Sequence, residues 1–360
     1  SDAKTDVQPP DSPDSSPGDR TNRTNRSKNI SWLRGVLWTS LIVLLVVGAL
    51  TGWFAHYALS PGPQAAFSQN TVFIPKGSSV EQIGDLLDSA DLLEGGLRFL
   101  LLTRILGISS KLPAGEFRLD ANQSPVDLLK QLVSADPVQH LLTVVEGLRM
   151  EEIADIFAAD NWIDRARFLV LARDSGFIAE LGLAPLSSLE GYLFPDTYSL
   201  IKPSPGEEKI LARLVKRALE VYGSLERGDT ELSRHQVFTL ASIVEKETGK
   251  ADERPVIASV FHNRLRRGMK LQSDPTVIYG IENFNGTLTK KDLKTHTPYN
   301  TYRIGALPPG PICSPGSDSL QAVLDPVGTK YLYFVSKNDG SHQFSTSLRE
   351  HNRAVRKYQR

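Results

Sequence analysis

Residues 35–59 form a long stretch without a single charged side chain. Val36-Leu37-Trp38-Thr39-Ser40-Leu41-Ile42-Val43-Leu44-Leu45-Val46-Val47-Gly48-Ala49-Leu50 continues through Trp53 and Phe54. About 20 mostly apolar residues in a helix cross a bilayer core, because a helix satisfies its backbone N–H and C=O groups internally. The run therefore predicts one transmembrane helix. A buried helix of a soluble core is the competing reading, and the length argues against it. A cleaved signal peptide is another, but the run is long for one and lacks a clear small-x-small site directly after it. Trp32, Trp38, Trp53 and Tyr57 lie towards the two ends, where amphipathic rings favour the membrane interface.

Charge gives this helix a direction. Arg20, Arg23, Arg26, Lys28 and Arg34 precede it, and the first lysine or arginine after it is Lys76. Basic residues stay on the cytoplasmic side, so the N-terminus is expected inside and everything beyond residue 60 outside. That excludes most cytosolic chemistry, ATP-driven reactions included. Lysine plus arginine balance aspartate plus glutamate at 41 each, so no global basic field points to a nucleic-acid partner. Cys313 is the only cysteine, so no intramolecular disulfide can form.

The remaining chain divides by composition. Residues 1–34 are rich in Ser, Asp, Pro, Asn and Arg and bury too little apolar surface to offset their ordering entropy, which predicts a disordered cytoplasmic tail. Residues 60–70, opening with Ser60-Pro61-Gly62-Pro63-Gln64, read as a linker. Residues 71–145 alternate strand and helix patterns: strands at 71–75, 115–119 and 140–145, and helices at 80–87, 97–106 and 124–132, the last with Ser124 before an N1 proline. Residues 146–360 form a larger unit, with amphipathic patterns at 147–159, 165–176 and 207–222 and a β-rich pair at 331–335 and 342–344 joined by Asn338-Asp339-Gly340, a hairpin signal. A basic helix at 347–358 closes the chain. The mixture predicts an α+β fold behind a single membrane helix. Glu190-Gly191-Tyr192-Leu193-Phe194-Pro195-Asp196-Thr197-Tyr198 reads either as a loop lining a sugar cleft or as ordinary aromatic core.

Ala241-Ser242-Ile243-Val244-Glu245-Lys246-Glu247-Thr248-Gly249 carries the strongest chemical signal. Val237, Leu240, Ala241 and Val244 share one buried helix face, and Glu245 and Glu247 lie roughly 80° to either side of it at about 100° per residue. Periodicity does not choose between them. Gly249 suits the residue just past the helix end. Both carboxylates then sit at the negative end of the macrodipole, which tends to raise their pKa, as a glycosidase general acid requires. The competing reading is a solvated helix end. A polar run, Leu271-Gln272-Ser273-Asp274-Pro275-Thr276-Val277-Ile278-Tyr279-Gly280, follows and reads as a loop of hydrogen-bonding side chains.

Ser242-Ile243-Val244-Glu245-Lys246-Glu247-Thr248, Phe261-His262-Asn263-Arg264-Leu265, the run at 271–280, Tyr299-Asn300-Thr301-Tyr302 and Leu307-Pro308-Pro309-Gly310-Pro311-Ile312 together resemble the signature blocks of the YceG-like family of membrane-anchored endolytic murein transglycosylases. The resemblance is strong after residue 144, where Val145-Glu146-Gly147 also fits, and weak before residue 60. It implies cleavage of the MurNAc-β-1,4-GlcNAc bond inside peptidoglycan strands, with closure of a 1,6-anhydro ring and no cofactor. It ranks the carboxylates: Glu247 becomes the catalytic acid/base and Glu245 a supporting residue. Asn263, Gln272, Ser273, Asp274, Thr276, Tyr299, Asn300 and Tyr302 become candidates for holding sugar hydroxyl and acetamido groups, each with a structural alternative such as the turn that Asp274-Pro275 commonly begins. The family's extracytoplasmic N-terminal region implies a LysM-like module at 71–145 and a YceG-like catalytic domain at 146–360. Localisation follows as the bacterial inner membrane, single-pass, with the catalytic domain periplasmic. The implied partners are nascent glycan strands, the lipid bilayer and membrane-bound glycan polymerases.

Other readings stand beside this one. A hydrolytic muramidase would pair Glu247 with Asp274 or Glu245. A non-catalytic peptidoglycan-binding anchor would need neither. A Cys313 nucleophile would need His296, His342 or His351 beside it as base, whereas a lone cysteine among prolines is more often a packing residue. The histidines show no metal-ligand spacing, so no metal is expected.

Overall fold

The structure, a computed structural model, describes residues 22–62, 69–228 and 230–359. The expected tail lies outside the described residues as far as residue 21, and so do residues 63–68 of the expected linker. Contacts within the chain define two units, one of residues 1–113 with 117–135, the other of residues 114–116 with 136–360.

The first unit begins with helix α1 (Asn22–Leu59), which starts well ahead of the apolar run. Once nucleated, a helix propagates cheaply through polar residues, and no proline lies between Pro17 and Pro61 to stop it. Within it, Trp32–Leu59 is long and apolar enough to cross a membrane. Strand β1 (Gln69–Ile74), α2 (Val80–Ser89), α3 (Leu97–Ile105), β2 (Gly115–Asp120) and α4 (Pro125–Ser134) follow. β1 pairs with β2, and Ile74, Leu87, Phe99, Phe117, Leu119 and Leu128 fill the core between sheet and helices. Ser79 caps α2 in a reciprocal box with Gln82, and Ser124 caps α4 ahead of Pro125.

The second unit comprises β3 (His140–Thr143), α5 (Met150–Ala159), α6 (Arg165–Leu171), α7 (Ser175–Glu180), β4 (Thr197–Leu200), α8 (Glu207–Ser224), α9 (Arg234–Glu247), α10 (Arg254–Arg266), α11 (Asp274–Tyr279), α12 (Lys290–Lys294), α13 (Ser317–Leu324), β5 (Tyr333–Ser336), β6 (His342–Ser345) and α14 (Leu348–Tyr358). β3 pairs antiparallel with β4, and β5 with β6. The single helix expected over 165–176 is two short ones: the first ends at Leu171 with Ala172 at its C-cap, and Asp174 caps the second by accepting from Phe177 N. The hairpin turn passes through Asn338 and Gly340, both at positive φ.

Helix α9 sits at the centre of the second unit. Every residue from Val237 to Val244 is buried, so the helix is covered on all sides and not only on the apolar face that its periodicity marks. α10, α11 and α13 pack against it. Its polar residues return their hydroxyls to the helix itself: Thr239 Oγ1 donates to His235 O and Ser242 Oγ to Thr239 O, both at 2.7 Å. The aromatic segment at 190–198 resolves mainly as core: Tyr192 is fully buried and stacks on Phe238 at 4.4 Å. Gly191 has φ +80°, and a Cβ there would lie 2.3 Å from Pro311 Cβ, so only glycine fits.

Candidate active site

Glu247 is the last residue of α9, and Thr248 ends the helix with extended backbone. Gly249 follows without entering the left-handed region, so the stop is made by Thr248. Partly buried, the Glu247 carboxylate lines a cavity of about 480 Å³ together with Arg264, Gln272, Asp274, Tyr302, Tyr333 and His351. Burial pushes its pKa up to about 7, and the nearby Asp274 carboxylate adds to the rise; a hydrogen bond from Ser273 and the charge of Arg264 act against it. The direction matches the sequence expectation, but desolvation is the largest cause.

The polar run at 271–280 is largely a helix. Ser273 stands at the N-cap of α11, Asp274 is its first residue, and Pro275 follows at a position where a missing N–H costs nothing. Gln272 precedes it at φ +49° and donates its N–H to Thr301 O at 3.2 Å, a left-handed conformation uncommon outside glycine. The turn aims the Ser273 hydroxyl at Glu247 Oε1. Asp274, exposed on the cavity side, accepts from Tyr302 OH at 2.6 Å.

The structure thus brings Glu247, Gln272, Ser273, Asp274 and Tyr302 together. It puts the other sequence candidates elsewhere. The Asn263 amide donates to Thr329 O at 3.0 Å and Tyr331 O at 2.9 Å, and its oxygen accepts from Arg266 at 2.6 Å, so its polar atoms are engaged within the protein. Thr276, fully buried, donates to Ser273 O at 2.7 Å and lies 2.8 Å from Thr301 Oγ1. Buried Asn300 donates to the carbonyls of Asp292, Leu293 and Thr295 and accepts from Tyr302 N at 2.9 Å. Both hold the loop geometry and are out of reach of a ligand. Tyr299 lines a second cavity, of about 300 Å³, with Glu190, His235 and Pro309.

Glu245 points away from the Glu247 cavity, as expected for residues on opposite flanks of one helix. Its side chain is 6% exposed, accepts from Gly316 N at 3.0 Å and pairs with Arg254 at 3.4 Å. Cys313 is fully buried, donates its thiol to Ser242 O at 3.3 Å, and burial raises its pKa well above the usual thiol value. A thiol held neutral against a helix carbonyl is no nucleophile, which removes the cysteine reading.

Three features escaped the sequence reading. Arg264 donates to Leu332 O at 2.7 Å and Leu271 O at 2.6 Å, which fixes its guanidinium beside Tyr333. His351 stacks on Tyr333 at 5.3 Å with its Nδ1 buried and unpartnered, and burial together with Arg264 lowers its pKa. The spacing of Leu348, His351 and Val355, all cavity-lining, was the available signal: positions i, i+3 and i+7 of one helix face. Finally, buried Glu190 accepts from Met150 N at 3.2 Å and Tyr279 OH at 3.2 Å, and burial pushes its pKa up to about 7. It anchors the far end of α11.

A carboxyl whose ionisation is disfavoured by burial, hydrogen-bonded by a fixed hydroxyl and lining a polar cavity, has the properties that general acid–base chemistry requires. The YceG-like family profile matches residues 72–357. The chain is 32% identical over 332 residues to a Bacillus subtilis protein named endolytic murein transglycosylase, covering 88% of this chain and 91% of that protein. A Streptococcus pneumoniae protein of the same name is 30% identical over 354 residues, covering 88% of this chain and 64% of its own length. A crystal structure of a yceG-like protein from Listeria monocytogenes matches with a TM-score of 0.54 at 30% identity, covering 79% of this chain and 98% of that chain. The chain belongs to the YceG-like family.

Proposed function

We propose that this protein is an endolytic peptidoglycan lytic transglycosylase that cleaves the MurNAc-β-1,4-GlcNAc bond within glycan strands. The observation that carries the reading is the Glu247 carboxyl, raised to about 7 in the cavity that Asp274 and Tyr302 also line. At neutral pH a large share of it is protonated, so it can donate to the glycosidic oxygen as general acid. The resulting carboxylate then takes the proton of the muramyl 6-hydroxyl, whose attack on the anomeric carbon closes the 1,6-anhydro ring. One carboxyl serves both steps, and no water is consumed. Ser273 orients Glu247 and favours its ionised form once the proton has left. Gln272, Asp274 and Tyr302 contact the sugar, while Thr276 and Asn300 keep the loops that carry them in place and Asn263 ties residues 329–331 to α10.

Under the positive-inside rule the basic residues at the N-terminal end of α1, ahead of its apolar run, keep the N-terminus cytoplasmic, with the catalytic unit outside the inner membrane. The βααβα unit at residues 69–135 acts as a LysM-like glycan-binding module, and nascent strands beside membrane-bound polymerases are the substrate. The test is incubation of the purified full chain with peptidoglycan. Fragments ending in anhydromuramic acid support the reading, and reducing ends one water heavier, or intact strands, overturn it.

A further inference from the structure

The outer end of α1 is built into the first unit. Tyr57 and Ala58 are buried in its core. Tyr57 OH donates to Glu94 O at 2.6 Å, and Gly62 N donates to Gln123 O at 2.9 Å. The Arg98 guanidinium, paired with Glu94, lies 5.1 Å from the Trp53 ring centroid and 4.6 Å from that of Tyr57. Arg98 belongs to α3, which packs against α1. The height of α3 above or within the bilayer is therefore set by the last two turns of α1.

α3 has two contrasting faces. Phe99, Leu102 and Thr103 are buried. Leu97, Leu101 and Ile105 are 71%, 41% and 69% exposed, and their four-residue spacing draws them into a stripe roughly 80° wide. Arg104, exposed, flanks the stripe on one side and Arg98 on the other. Three large apolar side chains in the open on one short helix, bordered by arginines, match a helix lying in a membrane interface.

The dimensions agree. Trp32–Leu59 is 28 residues, about 42 Å of helix at 1.5 Å per residue. That equals the hydrocarbon core plus both headgroup zones, about 40–45 Å. The last turn, His56 to Leu59, then falls in the outer interfacial zone with Trp53 one turn beneath it at the edge of the hydrocarbon core, and Arg98 holds α3 near that level.

We propose that α3 is a second membrane contact, lying on the outer leaflet with Leu97, Leu101 and Ile105 at the acyl boundary and Arg104 at lipid phosphates. The proposal rests on the reading of α1 as a membrane span. It makes the first unit a seated base, held at two places, in contrast to a domain swinging on a stalk.

Spin labels test this in the full chain with Cys313→Ala, reconstituted in vesicles of phosphatidylcholine and phosphatidylglycerol. The label positions are Leu101→Cys on α3, Leu44→Cys in mid-span and Glu220→Cys on the exposed side of α8. Each is read by its collision with oxygen relative to a water-soluble nickel chelate. The expected ratio at residue 101 is several-fold above that at 220 and below that at 44. A ratio at 101 equal to that at 220, with 44 lipid-embedded, overturns the α3 contact and leaves the span intact. A water-exposed 44 overturns the span, and the α3 contact with it. With Leu97→Glu and Ile105→Glu added, the label at 101 should lose its oxygen preference while 44 keeps it; an unchanged preference at 101 also counts against the stripe.

Discussion

The Ser273 hydroxyl donates its hydrogen bond to Oε1 of Glu247, joining the N-cap of α11 to the last residue of α9. Two short elements distant in sequence thereby fix the orientation and the acidity of one carboxyl. The bond favours the ionised form against the burial that disfavours it. Ser273→Ala should therefore move the Glu247 pKa further up, shifting the alkaline limb of the cleavage profile to higher pH. The rate at the optimum should fall by roughly 10- to 100-fold, the worth of one hydrogen bond to a charged group. The measurement is cleavage rate against pH; an unmoved limb would remove Ser273 from the site.

Glu247→Gln should reduce formation of anhydromuramic ends by about 10²–10⁴-fold, the usual share of general acid–base catalysis. Retained cleavage would assign the acid elsewhere.

The same variant carries a stability signature. The folded pKa of Glu247, about 7, lies above its ordinary value of 4.5, so between those values the folded state binds more protons than the unfolded one. Stability contributed by this group falls as pH rises across that window and levels off above it. Glu247→Gln removes the cost of burying the charge. Its melting temperature should exceed that of the parent at pH 8 by more than at pH 4.5. Equal differences at the two pH values would contradict the shift.

Glu245 and Arg254 should behave as a structural pair. Arg254→Ala leaves the Glu245 carboxylate, 6% exposed, without its guanidinium and should cost about 3–5 kcal/mol in denaturant unfolding. Glu245→Gln keeps an acceptor for Gly316 N and should retain most cleavage per folded molecule. Loss of cleavage comparable to Glu247→Gln would return Glu245 to the catalytic role.

Glu190 ties Met150 N and Tyr279 OH together in the interior. Glu190→Ala orphans both donors and should cost about 1–3 kcal/mol, whereas Glu190→Gln, which keeps an acceptor, should cost much less. Similar losses in the two variants would show that the hydrogen bonds are unimportant.

Much of this molecule was legible in short-range pattern. The apolar run, the Ser79 and Ser124 caps and the Asn338–Gly340 turn are local matters of hydropathy and backbone preference, whereas the start of α1 at Asn22 and the helix within 271–280 were not foreseen. The split at Asp174 was missed because a cap at a helix end and a polar residue within a helix look alike without neighbours.

The site divides along the same line. Helix periodicity alone places two carboxylates at a helix end on opposite flanks, and the resemblance of the surrounding blocks singled out Glu247. Their environments come from folding. α9 is buried on all sides because three other helices cover it, which no single periodicity encodes. Glu247 faces a polar cavity closed by residues from 264 to 359, while Glu245 meets Arg254 and Gly316. The acidity of a carboxyl depends on what surrounds it in space, and those surroundings come from segments that the chain brings together only when folded.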